Sequence, residues 1–203
     1  MKLFDGGKAP NPRRVRVFLA EKGIDVPLVP VDMGAMEHRG EAVTSRNPLR
    51  RLPVLELDDG TIITESIAIC RYFEELQPKP ALFGQGAVGK ALVEMWQRRM
   101  ELNLMFCVAQ AFRHTHPAMR EWEVPQLPEW GEANKPKAVE FLRFLDGELA
   151  NREFVAGDSY SVADITGMIA VDFMKPARIQ VPDEFGNVLR WYRSVASRPS
   201  AAA

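Results

Sequence analysis

The sequence predicts a chain in two parts, a mixed α/β part at the N-terminus and an all-helical part at the C-terminus. Short alternating apolar segments, typical of strands, occur only before residue 65. Helical periodicity dominates after residue 87, and a stretch rich in proline and glycine separates the two patterns. We therefore place the first domain at residues 1–78, a linker at 79–86 and the second domain at 87–203.

The N-terminal part is expected to form a four-stranded mixed sheet with helices, in the order βαβ and then ββα. Strand patterns occur at residues 2–4, 26–31, 54–57 and 61–64, and helical patterns occur at residues 13–22 and from residue 66 onward. Gly23 follows the first helix, where glycine commonly ends one. Asp58, Asp59 and Gly60 are typical of a hairpin turn. Ser66 is a favoured capping residue, so we expect it to cap the helix that starts there.

The C-terminal part shows helical patterns and no convincing strand. Residues 87–114 are apolar on several sides, which predicts a long helix buried in a bundle or an interface. Another helix is predicted over residues 136–149, and residues 116–130, which contain three prolines, are expected to be an ordered loop. Ser161 and Asp164 have the spacing of a capping box. We therefore give Asp164 a structural role, because capping carboxylates satisfy backbone donors.

Composition favours a soluble folded protein and argues against several classes. Apolar residues make up 46% and charged residues 26% of the 203, which is ordinary for a globular chain. The formal net charge of −1 gives no basis for binding nucleic acid or an anionic membrane. No apolar run approaches the roughly 20 residues that span a bilayer. Residues 1–7 lack the apolar stretch of a signal peptide, so we expect a cytoplasmic protein.

Cysteine and histidine are too few for a disulfide framework or a zinc site. The two cysteines, Cys70 and Cys107, lie in apolar helical segments, and there are only three histidines. We expect both thiols to be reduced and buried, as free cysteines usually are. No metal is predicted.

Three separated segments resemble motifs of the cytosolic glutathione transferases. Residues 47–55 are similar to the family's asparagine-proline segment that ends in valine-proline, and residues 65–69 to its glutamate/glutamine-serine-x-alanine-isoleucine motif. Residues 157–164 are similar to its C-terminal capping motif. The resemblance favours the bacterial theta-, beta- or nu-like branches. It implies a thioredoxin-like N-terminal domain, an all-α C-terminal domain, a homodimer, and glutathione as co-substrate with no other cofactor.

The resemblance also assigns a glutathione site. Glutathione carries two carboxylates, an ammonium group and a thiol, and each needs a partner. By the family pattern Ser66 holds the γ-glutamyl carboxylate, Glu65 holds the ammonium group, and His38 and Arg51 reach the glycyl carboxylate. A cis proline at Pro53 then presents the backbone of Val54 to the cysteinyl part, with Leu52 beside it.

Simpler interpretations of these residues stay open from the sequence. Ser66 can be only a helix cap and Glu65 a solvated charge. Pro53 can be a trans proline that starts an edge strand. His38 and Arg51 can be exposed basic side chains, which are common on protein surfaces.

The thiol-activating position departs from the family pattern. Ala9 stands where theta-like members have serine and omega- or beta-like members have cysteine, and residues 5–20 contain no hydroxyl or thiol side chain. Asn11, next to Pro10, matches an asparagine of nu-like members, and its amide can donate a hydrogen bond to a thiolate. We therefore name Asn11 as the catalytic candidate. The alternative is that Asn11 only caps the first helix.

A second substrate is expected against the long helix after the linker. Four polar side chains interrupt its apolar course and are the candidates for contacting it: Arg98, Arg99, Asn103 and His114. The arginines can also simply be solvated.

Three functions fit these features. The leading one is transfer of glutathione to an electrophilic, mostly apolar substrate. The second is reduction of a disulfide or peroxide with glutathione, as in nu-like members. The third is a non-catalytic glutathione-binding module, which Ala9 favours and Asn11, Pro53, Glu65 and Ser66 oppose.

Overall fold

The computed structural model describes all of residues 1–203. The chain divides into two compact units. The first unit comprises residues 1–82 together with 199–203, and the second comprises residues 83–198. The sequence pattern gave no indication that the last five residues return to the first unit.

The first unit is built on a four-stranded mixed sheet. Its strands are β1 Lys2–Asp5, β2 Leu28–Pro30, β3 Val54–Glu56 and β4 Ile62–Thr64. They lie in the order β2-β1-β3-β4, with β1 parallel to β2 and antiparallel to β3, and β4 antiparallel to β3. The predicted mixed sheet is therefore confirmed, and its topology is thioredoxin-like.

Three helices accompany this sheet. They are α1 Pro10–Lys22, α2 Glu41–Thr44 and α3 Ser66–Leu76, and short 3-10 turns lie at Glu37–Arg39 and Pro199–Ala202. The apolar faces of α1 and α3 are buried, as their periodicity predicts. Gly23 ends α1 in the left-handed conformation, with φ of 63°, where glycine carries no steric penalty.

The prediction that Ser66 caps α3 is wrong. Glu65 occupies the cap position, and Ser66 is the first residue of the helix itself. A capping side chain must belong to a residue outside the helical conformation, so Ser66 is one position too late to cap. Ser66 nevertheless lies at the helix N-terminus, and its side chain is buried.

The second unit is all helical. Its helices are α4 Gly86–Arg99, α5 Phe106–Thr115, α6 Pro128–Leu149, α7 Val162–Met174 and α8 Gly186–Ala196. Helix α7 is buried along almost its whole length and forms the centre of the unit. The predicted long helix is confirmed as helical, but α4 and α5 are joined by the wider π-helical turn Met100–Met105, which periodicity did not indicate.

The predicted loop over residues 116–130 is partly wrong, because α6 begins at Pro128 and passes through Pro136. Tertiary packing explains the earlier start. A side chain at Gly131 would place a Cβ 2.6 Å from Thr115 Cγ2 and 3.0 Å from His114 Cβ. Glycine therefore permits the first turn of α6 to lie directly against α5, and this contact outweighs the bias of proline against a helix interior.

The predicted capping box is confirmed at the start of α7. The buried carboxylate of Asp164 accepts hydrogen bonds from the Ser161 N–H and hydroxyl, the Val155 N–H and Trp191 Nε1, each at 2.9 Å. Burial raises the pKa of Asp164, and these donors oppose the rise. This carboxylate joins three segments of the second unit.

Both cysteines are free thiols in buried positions, as predicted. No helix combines the length and the apolar character needed to cross a bilayer.

Candidate functional site

At the N-terminus of α1, Asn11 carries the hydrogen-bond donors that are free for a ligand. Ala9 occupies the cap position, so Asn11, the second residue of α1, is not its cap, and the capping alternative for Asn11 is excluded. Pro10 and Pro12 have no N–H, and the Arg13 N–H already donates to the Ala9 carbonyl at 3.2 Å. The backbone N–H of Asn11 is thus the one donor of the first turn left for a ligand, and its exposed side-chain amide adds another.

The segment before β3 packs beside this helix start. A Cβ on Gly6 would lie 3.2 Å from Leu52 Cδ1, 3.3 Å from Met33 Cγ and 3.3 Å from Pro12 Cγ. The side chain of Leu52 is buried in these contacts, so Leu52 can offer only its backbone to a ligand. Gly6 therefore lies between Pro12, at the start of α1, and Leu52, in the segment before β3.

The Leu52–Pro53 peptide bond is cis, as the resemblance implied. The strand that follows, β3, lies in the interior of the sheet and not at its edge. The alternative of a trans proline at an edge strand is therefore excluded. Val54 opens β3 with its side chain fully buried, opposite Phe4 of β1 and Thr64 of β4.

The start of α3 combines free donors with an unusual backbone conformation. The N–H groups of the first three helical residues have no intrahelical partner, as at any helix start, and the helix dipole favours an anion there. Glu65, just before them, has φ of 66° and ψ of 118°, which a non-glycine residue rarely adopts. Such conformations cost about 1–3 kcal/mol and cluster at functional sites. The residue that carries the carboxylate, Glu65, is exposed, and the residue that carries the hydroxyl, Ser66, is buried.

His38 lies buried within a basic cluster. Burial lowers the pKa of His38, and the nearby guanidinium groups of Arg39, Arg51 and Arg50 lower the pKa further. The structure therefore brings His38 and Arg51 together, as the resemblance implied, and excludes the exposed alternative for His38. A neutral imidazole beside an exposed guanidinium suits a carboxylate ligand, since both groups can donate hydrogen bonds to it.

Asn47 organises the loop that carries this cluster, a role the sequence analysis did not assign. It is buried, its Nδ2 donates to the Arg51 carbonyl at 2.9 Å, and its Oδ1 accepts from the Leu49 N–H at 3.1 Å. Between them Arg50 has a positive φ of 56°. The Asn47–Pro48 pair is typical of a turn and could have indicated that Asn47 holds this loop by hydrogen bonds.

The four candidates for a second substrate do not form one cluster. Arg98 is exposed and pairs with Glu94 and Glu101 at 2.9 and 3.4 Å, as a solvated charge would. Asn103 donates to the Arg99 carbonyl at 3.1 Å, and the Arg99 guanidinium lies 4.7 Å from the Trp96 ring centroid.

His114 lies about 16 Å further along the helix than Asn103, at 1.5 Å per residue. It is buried, and its Nδ1 accepts from the Leu127 N–H at 3.1 Å. It therefore serves the packing of the second unit.

The fold and site together define a class of protein: a thioredoxin-like unit whose helix starts and basic loop suit a small anionic peptide, followed by a helical unit. Comparison with known families is more specific. Residues 9–76 match the glutathione S-transferase N-terminal domain, and residues 97–199 match the glutathione S-transferase C-terminal domain. The chain belongs to the glutathione S-transferase family.

Known relatives agree with this assignment. The chain is 37% identical to glutathione S-transferase 2 of Saccharomyces cerevisiae, over 98% of this chain and 87% of the relative. It is 38% identical to maleylacetoacetate isomerase of Pseudomonas aeruginosa, over 93% of this chain and 84% of the relative.

Solved structures show the same fold. A glutathione S-transferase domain-containing protein of Marinobacter aquaeolei superposes with a TM-score of 0.94 at 39% identity, covering 98% of this chain and 99% of that one. Gtt2 of Saccharomyces cerevisiae also gives 0.94, at 36% identity, covering 100% and 99%.

Proposed function

We propose that this protein is a glutathione transferase that joins the thiolate of glutathione to an electrophilic, mostly apolar substrate. The observation that carries the proposal is the start of α3, where buried Ser66 and three free N–H groups follow the strained Glu65. This arrangement suits the γ-glutamyl carboxylate, with Glu65 for the ammonium group. Arg51 and His38 take the glycyl carboxylate at the other end, and the backbone of residues 52–54 takes the cysteinyl part.

Asn11 is the proposed catalytic residue, within a site that also includes Ala9 and Pro10. Its two donors are both available to a thiolate, which hydrogen bonds and a helix N-terminus stabilise. Because Ala9 provides no hydroxyl, the side-chain amide and the backbone N–H of Asn11 would share that task.

The proposed enzyme is a cytoplasmic homodimer. Helices α4 and α5 and the π-helical turn between them carry exposed apolar side chains at intervals of three, four or seven residues: Val88, Leu92, Met95, Leu102 and Phe106. Such spacing forms one stripe along a helix and is typical of packing against another helix. The proposed partner that packs against this stripe is a second copy of the chain, related by the two-fold symmetry common in homodimers.

A second candidate function is reduction of a small disulfide by glutathione. Both free thiols of the chain are buried, so both sulfurs that react would come from glutathione and the substrate. The 38% identity to an isomerase adds a third reaction to test. A binding module without catalysis would hold glutathione and turn over none of these.

Turnover of three compounds with glutathione tests the proposal: a generic aryl halide, a small disulfide and maleylacetoacetate. We expect conjugation of the aryl halide. Conversion of only the disulfide or only maleylacetoacetate would favour that other activity, and glutathione binding without any turnover would favour the binding module.

Ser66→Ala tests the binding site itself. We expect glutathione binding to weaken by about 1–3 kcal/mol, the range for a hydrogen bond to a charged group. The matched control is Ser45→Ala, since the exposed Ser45 hydroxyl donates to the Glu41 carbonyl and accepts a long bond of 3.5 Å from Arg46 Nη1. Equal dissociation constants for both variants by calorimetry would overturn the assignment of Ser66.

A further inference from the structure

The last turn of the chain, Pro199–Ala202, packs along α1. It belongs to the first unit, although residues 83–198 before it form the second. The turn is therefore far from α1 in sequence and beside it in the fold.

Two directional contacts tie the turn to α1. Arg13 Nη2 donates to the Ala201 carbonyl at 2.9 Å, and the Ser200 hydroxyl donates to the Glu21 carboxylate. Arg13 lies in the first turn of α1 and Glu21 in the last, about 12 Å apart at 1.5 Å per residue. Ser200 is only 7% exposed, so its bond to the half-buried Glu21 is partly shielded from water.

The other faces of α1 are held by both apolar packing and directional bonds. Buried apolar side chains of α1 pack against α3. Arg16 pairs with Asp5 of β1, and Lys22 pairs with Glu74 of α3. Side-chain packing between helices limits rotation and sliding, and directional bonds add to that restraint. Hydrogen bonds at both ends of a helix restrain both movements, because their strength falls steeply with misalignment.

We propose that Pro199–Ala202 is a clasp that sets the orientation of α1, and that Ser200 is thereby a positioning residue for the thiolate of bound glutathione. The inference rests on the proposed function. Orientation matters here because Asn11 holds the ligand-facing donors of the first turn, and the prolines on both sides supply none. A small rotation of α1 would move both donors of Asn11 away from the sulfur with no neighbouring N–H to replace them.

Ser200→Ala removes the bond to Glu21, Ser200→Thr keeps the hydroxyl, and Ser197→Ala is the matched control. The Ser197 hydroxyl donates to the Ser194 carbonyl at 2.8 Å and lies outside the first unit. In Ser200→Ala we expect the pH at which bound glutathione ionises, read from thiolate absorbance, to rise by about 0.2–0.7 of a unit, the scale of a helix-dipole interaction. Ser200→Thr should restore it. Equal ionisation pH in all four proteins would overturn the positioning role.

Hydrogen exchange without glutathione tests the clasp independently of the proposed function. We expect the Arg13 and Arg14 amides to exchange on the order of tenfold faster in Ser200→Ala than in Ser197→Ala, with β1 amides unchanged. Faster exchange of β1 and α1 alike would mean general destabilisation and would overturn the clasp, as would unchanged exchange. If the wild-type protein binds no glutathione, the proposed function fails, while this measurement still decides whether the clasp exists.

Discussion

At the scale of single residues, the two helix starts of the site differ in how many donors they offer. The start of α3 has three free backbone N–H groups and the Ser66 hydroxyl, which suits the full charge of a carboxylate. The start of α1 has one free backbone N–H, at Asn11, because Pro10 and Pro12 have none. A weaker anion site is sufficient for a thiol, whose pKa needs to fall by only one or two units to reach neutrality.

Asn11→Ala should lower the rate with glutathione more than it weakens glutathione binding. The side-chain amide interacts more strongly with a thiolate than with a thiol, so its loss costs more where charge develops. We expect kcat/KM to fall about tenfold to a hundredfold, the range for a hydrogen bond to a charged group. The pH at which bound glutathione ionises should rise with it. If rate and ionisation pH both match wild type, Asn11 has no part in the chemistry.

The protein should become less stable as the pH is lowered, because of His38. Burial lowers the pKa of His38 below its ordinary value of 6.5, so at acidic pH the unfolded chain binds a proton more readily at this side chain than the folded chain does. Above about pH 6.5, His38 makes its full contribution to the free energy of unfolding. This contribution is lost as the pH falls from 6.5 toward and through the pKa of the folded state. Between pH 7 and pH 5, urea midpoints should fall more for wild type than for His38→Gln. Parallel declines would show that the pKa of His38 is the same in the folded and the unfolded chain.

At the scale of elements, the capping box was predictable because all of it is local. Ser161 and Asp164 stand three residues apart, and the spacing alone specifies where α7 begins. The bonds from Val155 and Trp191 to the same carboxylate come from distant positions and no local pattern indicates them. The same limit explains α6, where the contact of Gly131 with α5 decided the start of the helix.

In the candidate site, the sequence alone predicted very little. The resemblance supplied His38, Arg51, Pro53, Glu65 and Ser66, because charge and spacing do not reveal which side chains converge in the fold. The bracing role of Asn47 and the clasp of Ser200 depend on tertiary contacts over many residues. They became visible only in the folded chain.

Asp164→Asn should destabilise the protein by about 2–4 kcal/mol. The replacement places an N–H₂ group among donors that all point at the carboxylate, so buried donors lose their acceptor. Asp183→Asn, at an exposed position, is the control and should change stability by less than about 0.5 kcal/mol. The check is the free energy of unfolding from urea titration, and equal values for the two variants would contradict the role of Asp164.

At the scale of the whole molecule, the exposed stripe along α4, the π-helical turn and α5 is the feature that a single chain leaves unexplained. Val88 is 73% and Leu102 60% exposed, which is unfavourable for large apolar side chains gathered on one helical face. Burial against a second copy would remove this surface from water, at about 25 cal/mol per Å².

Leu102→Glu should convert the proposed dimer to a monomer at micromolar concentration, because each interface would bury two new charges. Val124→Glu is the control, since Val124 is 80% exposed and lies outside the stripe. Light scattering measures the mass of each variant. A wild-type mass of one chain at that concentration would refute the dimer. A dimer mass for Leu102→Glu would show that the interface lies on another surface.

The burial of both cysteines makes the chain well suited to site-specific labelling. Burial raises the pKa of the Cys70 thiol to about 12 and raises that of Cys107 as well, so neither presents a thiolate near neutral pH. Val124→Cys, at an exposed position outside the stripe, would therefore add the one reactive thiol per chain and would accept a nitroxide without removal of the native cysteines. In a symmetric pair the two nitroxides would report a single distance by electron spin resonance, which would restrict how the two copies can be arranged.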